Sequence, residues 1–295
     1  MEPVIQTVNL TKYYGKNRGI KNVSIIVNKG DIYGFLGPNG AGKSTMIRTL
    51  LDFIRPSSGH ASILGMDCQK DSMKIRKQIS YIPGDVSLYG NMTGHMFLRY
   101  FGKMRGGYNA GVVNKYAERF DINLDRKIKE YSKGMRQKVV LIQAFMNDPE
   151  VIIMDEPTSG LDPLVQQTFM EAVREEASHG KTIFMSSHVL SEVEKICNRV
   201  AIIREGEIVA EESMASLRGR FGKVIEVKFK DDVIPTGFRI TGTSNIEKKN
   251  GYYRMTSSGN IKDTLRELSA YDLEDVNMHS MNLEDVFMHY YSGGK

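Results

Sequence analysis

Two runs of residues in this 295-residue chain have the types and spacing that phosphate chemistry needs. The first is GPNGAGKST, Gly37 to Thr45, which satisfies G-x-x-x-x-G-K-[ST] between a predicted strand and a predicted helix. Gly37, Asn39, Gly40, Ala41 and Gly42 make a loop whose small residues let successive backbone N–H groups curl around phosphate oxygens. The helix beginning near Gly42, with Thr45 in its first turn, turns its positive dipole end toward the same anion. Lys43 is expected to reach the β and γ phosphates of a nucleoside triphosphate, and the Ser44 hydroxyl to ligate Mg²⁺.

The second run is VIIMDEPTSGLD, Val151 to Asp162, in which four apolar residues of a buried strand end in two carboxylates. Ligands of open α/β sheets gather at such strand ends. Asp155 is expected to hold the Mg²⁺ shell, and Glu156 to orient or deprotonate the water that attacks the γ phosphate. Two adjacent acids on their own read as surface solvation; the phosphate loop turns the reading toward catalysis.

Bringing Lys43 and Glu156 together requires a sheet. Strands are predicted at Val4 to Leu10, Asn22 to Asn28, Asp31 to Leu36, Ile79 to Pro83, Val151 to Asp155, Lys181 to Ser186, Arg199 to Ile203 and Glu207 to Ala210. Helical spacing runs over Lys43 to Leu51, Lys133 to Met146, Pro163 to Ser178 and Val189 to Cys197. Strands alternating with helices predict a mainly parallel sheet covered on both faces. Thr93 to Met146 reads as a helical insertion, and Met214 to Gly222 as a helix entering a hinge. Beyond it, strands at Val224 to Phe229, Tyr252 to Thr256 and near Val276, with helices at Ile261 to Ala270 and Leu283 to Tyr290, predict a small second domain.

Composition removes several other classes. Charged residues at 25% and hydrophobic residues at 41% are ordinary globular values, and no apolar run reaches the ~18 residues that cross a bilayer. A net charge of +5 with no block of Lys or Arg argues against nucleic acid. Cys68 and Cys197 are too few for a disulfide framework or a thiolate zinc site, and no His pair has metal-ligand spacing. The opening residues do not read as a secretory signal, so a cytosolic location is expected.

With the phosphate loop, the DEPTSGLD run and a later His188 after an apolar strand, the chain resembles the ATP-binding-cassette (ABC) ATPases, the motor subunits of ABC transporters, over Val4 to Leu217. YSKGMRQK, Tyr131 to Lys138, stands where that family has its signature segment. Ser132 and Gly134 match the family pattern; Lys133 and Met135 depart from its common Gly and Gln, in a variant that resembles exporters of drugs, peptides and polysaccharides. Ser132 is also a good N-cap for the helix through Met146.

The resemblance implies an α/β fold: a P-loop NTPase core of the ABC ATPase type over 1–220, with a mainly parallel sheet, an N-terminal antiparallel β subdomain and a helical subdomain at about 86–147, then an α+β accessory domain at 223–295. It implies ATP and Mg²⁺ as cofactors and a head-to-tail pair of cassettes, homodimer or heterodimer, in which Ser132 and Gly134 of one copy meet the γ phosphate held by the other. Asp162 and Ser159 resemble the loop crossing that interface, and His188 the switch histidine at the γ phosphate. Tyr14, or its neighbour Tyr13, stands where the family stacks an aromatic on adenine. Gly84 stands where the family has a Gln that senses nucleotide, and Asp85 is a candidate substitute.

Of Leu88, Tyr89, Met92, Met96, Phe97, Tyr100, Phe101 and Met104, most are expected in the insertion's own core, and the resemblance implies that the remainder lines a groove for a short cytoplasmic helix of a membrane subunit. The implied partners are integral-membrane transporter subunits, with the ATPase peripheral to the cytoplasmic face of the membrane and no nucleic acid. The expected activity is ATP hydrolysis powering export of a peptide, drug or other antimicrobial. Polysaccharide export, sodium export and a non-transport cassette ATPase are the alternatives.

Overall fold

Strands that are apolar at every position have no face for water and belong in a sheet covered on both sides. An antiparallel layer precedes them here. β1 (Pro3–Tyr14) pairs with β2 (Asn17–Val23) and β3 (Ile26–Asn28), after which β4 (Ile32–Leu36), buried throughout, leads through the glycine loop into α1 (Lys43–Leu50). β5 (Ser58–Ile63) and β6 (Met66–Asp67) return to the first sheet, whose order is β2-β1-β5-β6 with β3 beside β1. α2 (Ser72–Gln78) and β7 (Ile79–Ile82) follow, then the helical insertion of α3 (Gly94–Met104), α4 (Ala110–Arg119) and α5 (Lys133–Phe145). The chain then alternates through β8 (Val151–Asp155), α6 (Pro163–Ser178), β9 (Thr182–Ser187), α7 (Leu190–Ile196), β10 (Arg199–Arg204) and β11 (Glu207–Ser213).

The second sheet has the order β11-β10-β4-β9-β8-β7, parallel from β10 to β7. β4, β8 and β9 are buried at every position. Tyr33 stacks on Phe184 at 5.8 Å and Phe35 tilts against the same ring at 5.5 Å, so the sheet's centre is packed with aromatic rings. Polar residues start the flanking helices: Thr93, Asn109, Ser132 and Asp162 each accept a hydrogen bond from a first-turn amide. In the insertion Tyr116 stacks on Phe145 and donates to Glu176 of α6 at 2.6 Å.

This computed structural model describes residues 2–220, 223–231, 234–235, 238–257, 260–280, 283–284 and 287. They fall in two units, Met1–Glu211 and Glu212–Lys295. The second contains α8 (Met214–Arg220), β12 (Lys223–Phe229), β13 (Thr243–Lys249), β14 (Tyr252–Ser257), α9 (Ile261–Leu268) and β15 (Leu273–Ser280). Its sheet is antiparallel in the order β13-β14-β12-β15, over a core of Ile225, Val227, Phe229, Ile240, Met255 and Leu268.

Two expectations need correcting. The strand predicted over Asn22 to Asn28 is two, because Thr7 Oγ1 donates to Val23 O and accepts from Ile25 N, separating β2 and β3 where they pair with different stretches of β1. Ser216 bonds to Ser213 Oγ and Glu212, which ties α8 to the start of the second unit. α2, β5, β6 and β13 were not predicted: α2 buries only Ile75, and β13 is largely polar. The expected helix from Leu283 to Tyr290 lies mostly outside the described residues.

Both cysteines are buried, with Cys68 2% and Cys197 6% exposed, and burial raises both thiols, Cys68 to about 12. At pH 8 a disulfide-exchange reagent should therefore label the folded chain about a thousandfold more slowly than a free thiol. The unfolded chain should react at once at both positions. Rapid labelling of native protein, followed by absorbance, would contradict the burial.

Candidate active site

The sheet's register does the first work of assembly. Leu36, the end of β4, lies beside Ser187 of β9, and Ser186 lies beside Asp155 of β8. The three strand ends that carry the phosphate loop, the acid pair and His188 are thus neighbours, as the two motifs required.

The loop has little room for side chains. A Cβ on Gly37 would stand 2.5 Å from Ile203 O, and one on Gly42 would stand 2.6 Å from Gly19 O. Gly42, the residue before α1, has φ +113°, a conformation that glycine adopts without a steric penalty. The amides of the first turn of α1 have no partner within the helix. Between the loop and the first sheet is a cavity of about 270 Å³, lined by Asn39, Gly40, Gly42, Lys43, Ser44 and Thr45 together with Tyr14, Arg18, Gly19 and Glu156.

Lys43 is 6% exposed; its Nζ donates to Gly37 O at 2.7 Å and Pro38 O at 3.1 Å, and lies 3.0 Å from Glu156 Oε1. That contact is an ion pair without hydrogen-bond alignment, which leaves Glu156 Oε1 buried without an aligned donor. The other oxygen of Glu156 lies 2.6 Å from Nδ1 of half-exposed His188. Glu156 has φ +48°, and its N–H points at Ser186, 3.2 Å from the hydroxyl. Ser186 Oγ in turn donates to buried Asp155 at 2.6 Å. The Asp155 carboxylate and burial push the Tyr81 hydroxyl up to about 12, burial being the larger cause.

The structure therefore gathers Tyr14, Asn39, Gly40, Gly42, Lys43, Ser44, Thr45 and Glu156 at one cavity, with Gly37 and Ala41 in the loop's frame and His188 and Asp155 attached through Glu156 and Ser186. Tyr14 lines that cavity and Tyr13 does not. Ser132, Gly134 and Asp162 are not on it. Ser132 and Asp162 are exposed and cap α5 and α6, while Gly134 lies against Gly160, whose carbonyl is 3.2 Å from the glycine's Cβ position. Gly84 lies beside the acids, its Cβ position 3.1 Å from Asp155 O; Asp85 is exposed and off the cavity wall.

Arg18, Gly19 and Ser186 were not among the expected site residues. Arg18 and Gly19 come from the start of β2 and Ser186 from a buried strand, where nothing in the local pattern marks them. A second cavity, about 460 Å³, is lined by Tyr81, Pro83, Leu88, Tyr89, Phe97 and Phe101 among others, whereas Met96, Tyr100 and Met104 point outward at 57%, 49% and 67% exposure.

Residues 20–159 match the family described as ABC transporter. The bacitracin transport ATP-binding proteins BcrA of Enterococcus faecalis and Bacillus licheniformis are each 32% identical to this chain, over all of it and over 98% and 99% of their own lengths. A solved structure described as the ATP binding subunit of an ABC transporter is 29% identical and superposes with a TM-score of 0.67, covering 73% of this chain and 92% of that one. The chain belongs to the ABC transporter ATPases. It is the ATP-binding subunit of such a transporter, a family that hydrolyses ATP to drive transport.

The left-handed backbone at Gly42 gives a direct test. Gly42→Ala costs about 1–2 kcal/mol for the left-handed backbone alone, the 2.6 Å approach of its Cβ to Gly19 O adds to that, and a loop that shifts to relieve both loses its fit to phosphate. ADP affinity by calorimetry should fall about tenfold or more. An unchanged affinity would show that the loop's conformation does not matter for binding.

Proposed function

We propose that this ATPase powers export of an antimicrobial of the bacitracin type by separate membrane-spanning subunits, with hydrolysis at the cavity between the glycine loop and Glu156. The observation that carries the proposal is the convergence of Lys43, Glu156 and His188 behind a glycine loop that excludes side chains. Full-length similarity to two proteins named for bacitracin transport supports the cargo class.

In this reading the loop amides and Lys43 bind the β and γ phosphates, so Lys43 must leave Glu156 as nucleotide enters. Tyr14 stacks on the base. Glu156, released from Lys43 and held by His188, accepts the proton of the attacking water. Ser44 and Asp155 would hold Mg²⁺; both offer the hard oxygen donors that ion takes, and the unaligned Glu156 Oε1 fits a site awaiting further polar groups. When bound, the ion neutralises charge on the phosphate oxygens.

Ser132, Gly134 and Asp162, which lie off the cavity, are assigned to the γ phosphate and interface of a second cassette, either a copy of this chain or a relative. The second cavity and the outward stripe of Met96, Tyr100 and Met104 are assigned to a helix of the membrane subunit, for which flexible methionines suit an adaptable surface. No described helix is long and apolar enough to cross a membrane. The subunit is assigned a peripheral place at the cytoplasmic face through those membrane partners. Residues 1–220 are assigned to the nucleotide-binding domain and 223–295 to an accessory role.

Glu156→Gln should bind ATP yet lower turnover about 10²–10⁴-fold and accumulate a dimer in Mg·ATP, read by light scattering after gel filtration. Parental turnover would remove Glu156 as the base. Lys43→Ala should weaken ATP binding by calorimetry, and Tyr14→Ala should weaken it more than Tyr13→Ala. Proteins that copurify from detergent-solubilised membranes test the transport reading: integral-membrane subunits are expected, and their absence would count against it.

A further inference from the structure

His188 and Glu156 lie on two different loops, and a hydrogen bond between them survives only if both loops are held. One tie is at the strand ends, where Ser186 Oγ donates to Asp155 and lies 3.2 Å from the Glu156 N–H. A second lies farther out. Thr158, two residues past Glu156, donates through Oγ1 to Glu192 Oε2 at 2.7 Å, and Glu192 stands one turn past His188 on α7. Both residues are 5% exposed.

We infer that Thr158 and Glu192 form a clamp that keeps Glu156 and His188 in register, and that both are positioning residues for ATP hydrolysis. The inference rests on the roles given above to Glu156 and His188. With the Ser186 tie, the clamp closes residues 155–158 and 186–192 into a ring around the Glu156–His188 contact. Each part of that ring needs holding. Glu156 sits at φ +48°, a conformation that persists only when its surroundings enforce it, and α7 has no side-chain N-cap to fix its start.

The chemistry of the clamp also argues for a role beyond packing. Glu192 is a carboxylate withdrawn from water, and burial raises its pKa against the lowering effect of the Thr158 hydrogen bond. An apolar pair of the same size would fill the space without that desolvation cost. The clamp further adjoins Pro157, whose carbonyl accepts from Gln137 Nε2 of α5 at 2.8 Å, so it joins the Glu156 loop to the helix that carries Ser132 and Gly134.

The test compares Thr158→Val, Thr158→Ser and Glu192→Leu in the full chain. Thr158→Val should lower kcat about 100-fold, the effect of a small misplacement of a catalytic group. KM for ATP and the calorimetric ADP affinity should stay within about twofold, and Thr158→Ser should restore kcat. Glu192→Leu removes the buried charge but leaves the Thr158 hydroxyl without its acceptor, so it should stay folded in urea titration, and with Thr158→Val fold at least as well, while losing kcat to a similar extent. The double variant should be no worse than either single one. Parental kcat in Glu192→Leu, an ADP affinity that falls in step with kcat, or losses that multiply in the double variant would overturn the clamp. Glu156→Gln is measured alongside. If it is inactive while Thr158→Val is normal, only the clamp fails; if it turns over at the parental rate, the assignment of Glu156 fails and the clamp with it.

Discussion

A buried ammonium set 3.0 Å from a partly buried carboxylate organises this site. Neither Lys43, 6% exposed, nor the Glu156 side chain, 19% exposed, can be withdrawn from water cheaply, and each offsets part of the other's desolvation. Their meeting depends on strand order. β4 ends in the loop before Lys43, β8 ends at Asp155 just before Glu156, and β9, between them in the sheet, ends one residue short of His188. Parallel strands put all three ends on one edge of the sheet, so charges that are far apart in sequence arrive together.

The same pair sets what an incoming anion must do. Lys43 donates to two loop carbonyls and is ion-paired with one carboxylate, and phosphate must compete with all three for the ammonium. A phosphate that draws Lys43 toward itself would leave Glu156 with His188 alone. On the proposed reading, in which Glu156 is the base, that one lysine side chain would link nucleotide binding to activation of the base.

What could be read from the chain was chemistry held in contiguous residues. Gly37 to Thr45 and Val151 to Asp162 each contain the residues and the local structure that make them recognisable, and the apolar strands between them specified a parallel sheet. What could not be read depended on pairing across distance. Ser186 is one more small residue in an apolar strand until the register sets it beside Asp155. Glu192 looks like a solvated helix residue until α7 turns it onto Thr158. Arg18 reaches the cavity only because the β1–β2 hairpin folds over the loop, and its pairing with Glu205, 187 positions away, has no local signal. α2 escaped notice for a related reason: with one buried residue it has no apolar period to detect.

Gly84 shows how a departure from the family pattern can be consistent with the rest of the site. Its Cβ position is 3.1 Å from Asp155 O, a tight approach that asks a side chain here for a shift of a few tenths of an ångström, and 3.7 Å from Glu156 Cβ, an ordinary contact. The chain on one side, Tyr81 and Pro83, and on the other, Val86, Leu88 and Tyr89, lines the larger cavity. Glycine here meets the Asp155 carbonyl with main chain alone, so a displacement of the cavity wall reaches the acid pair through the backbone, where packed groups move together.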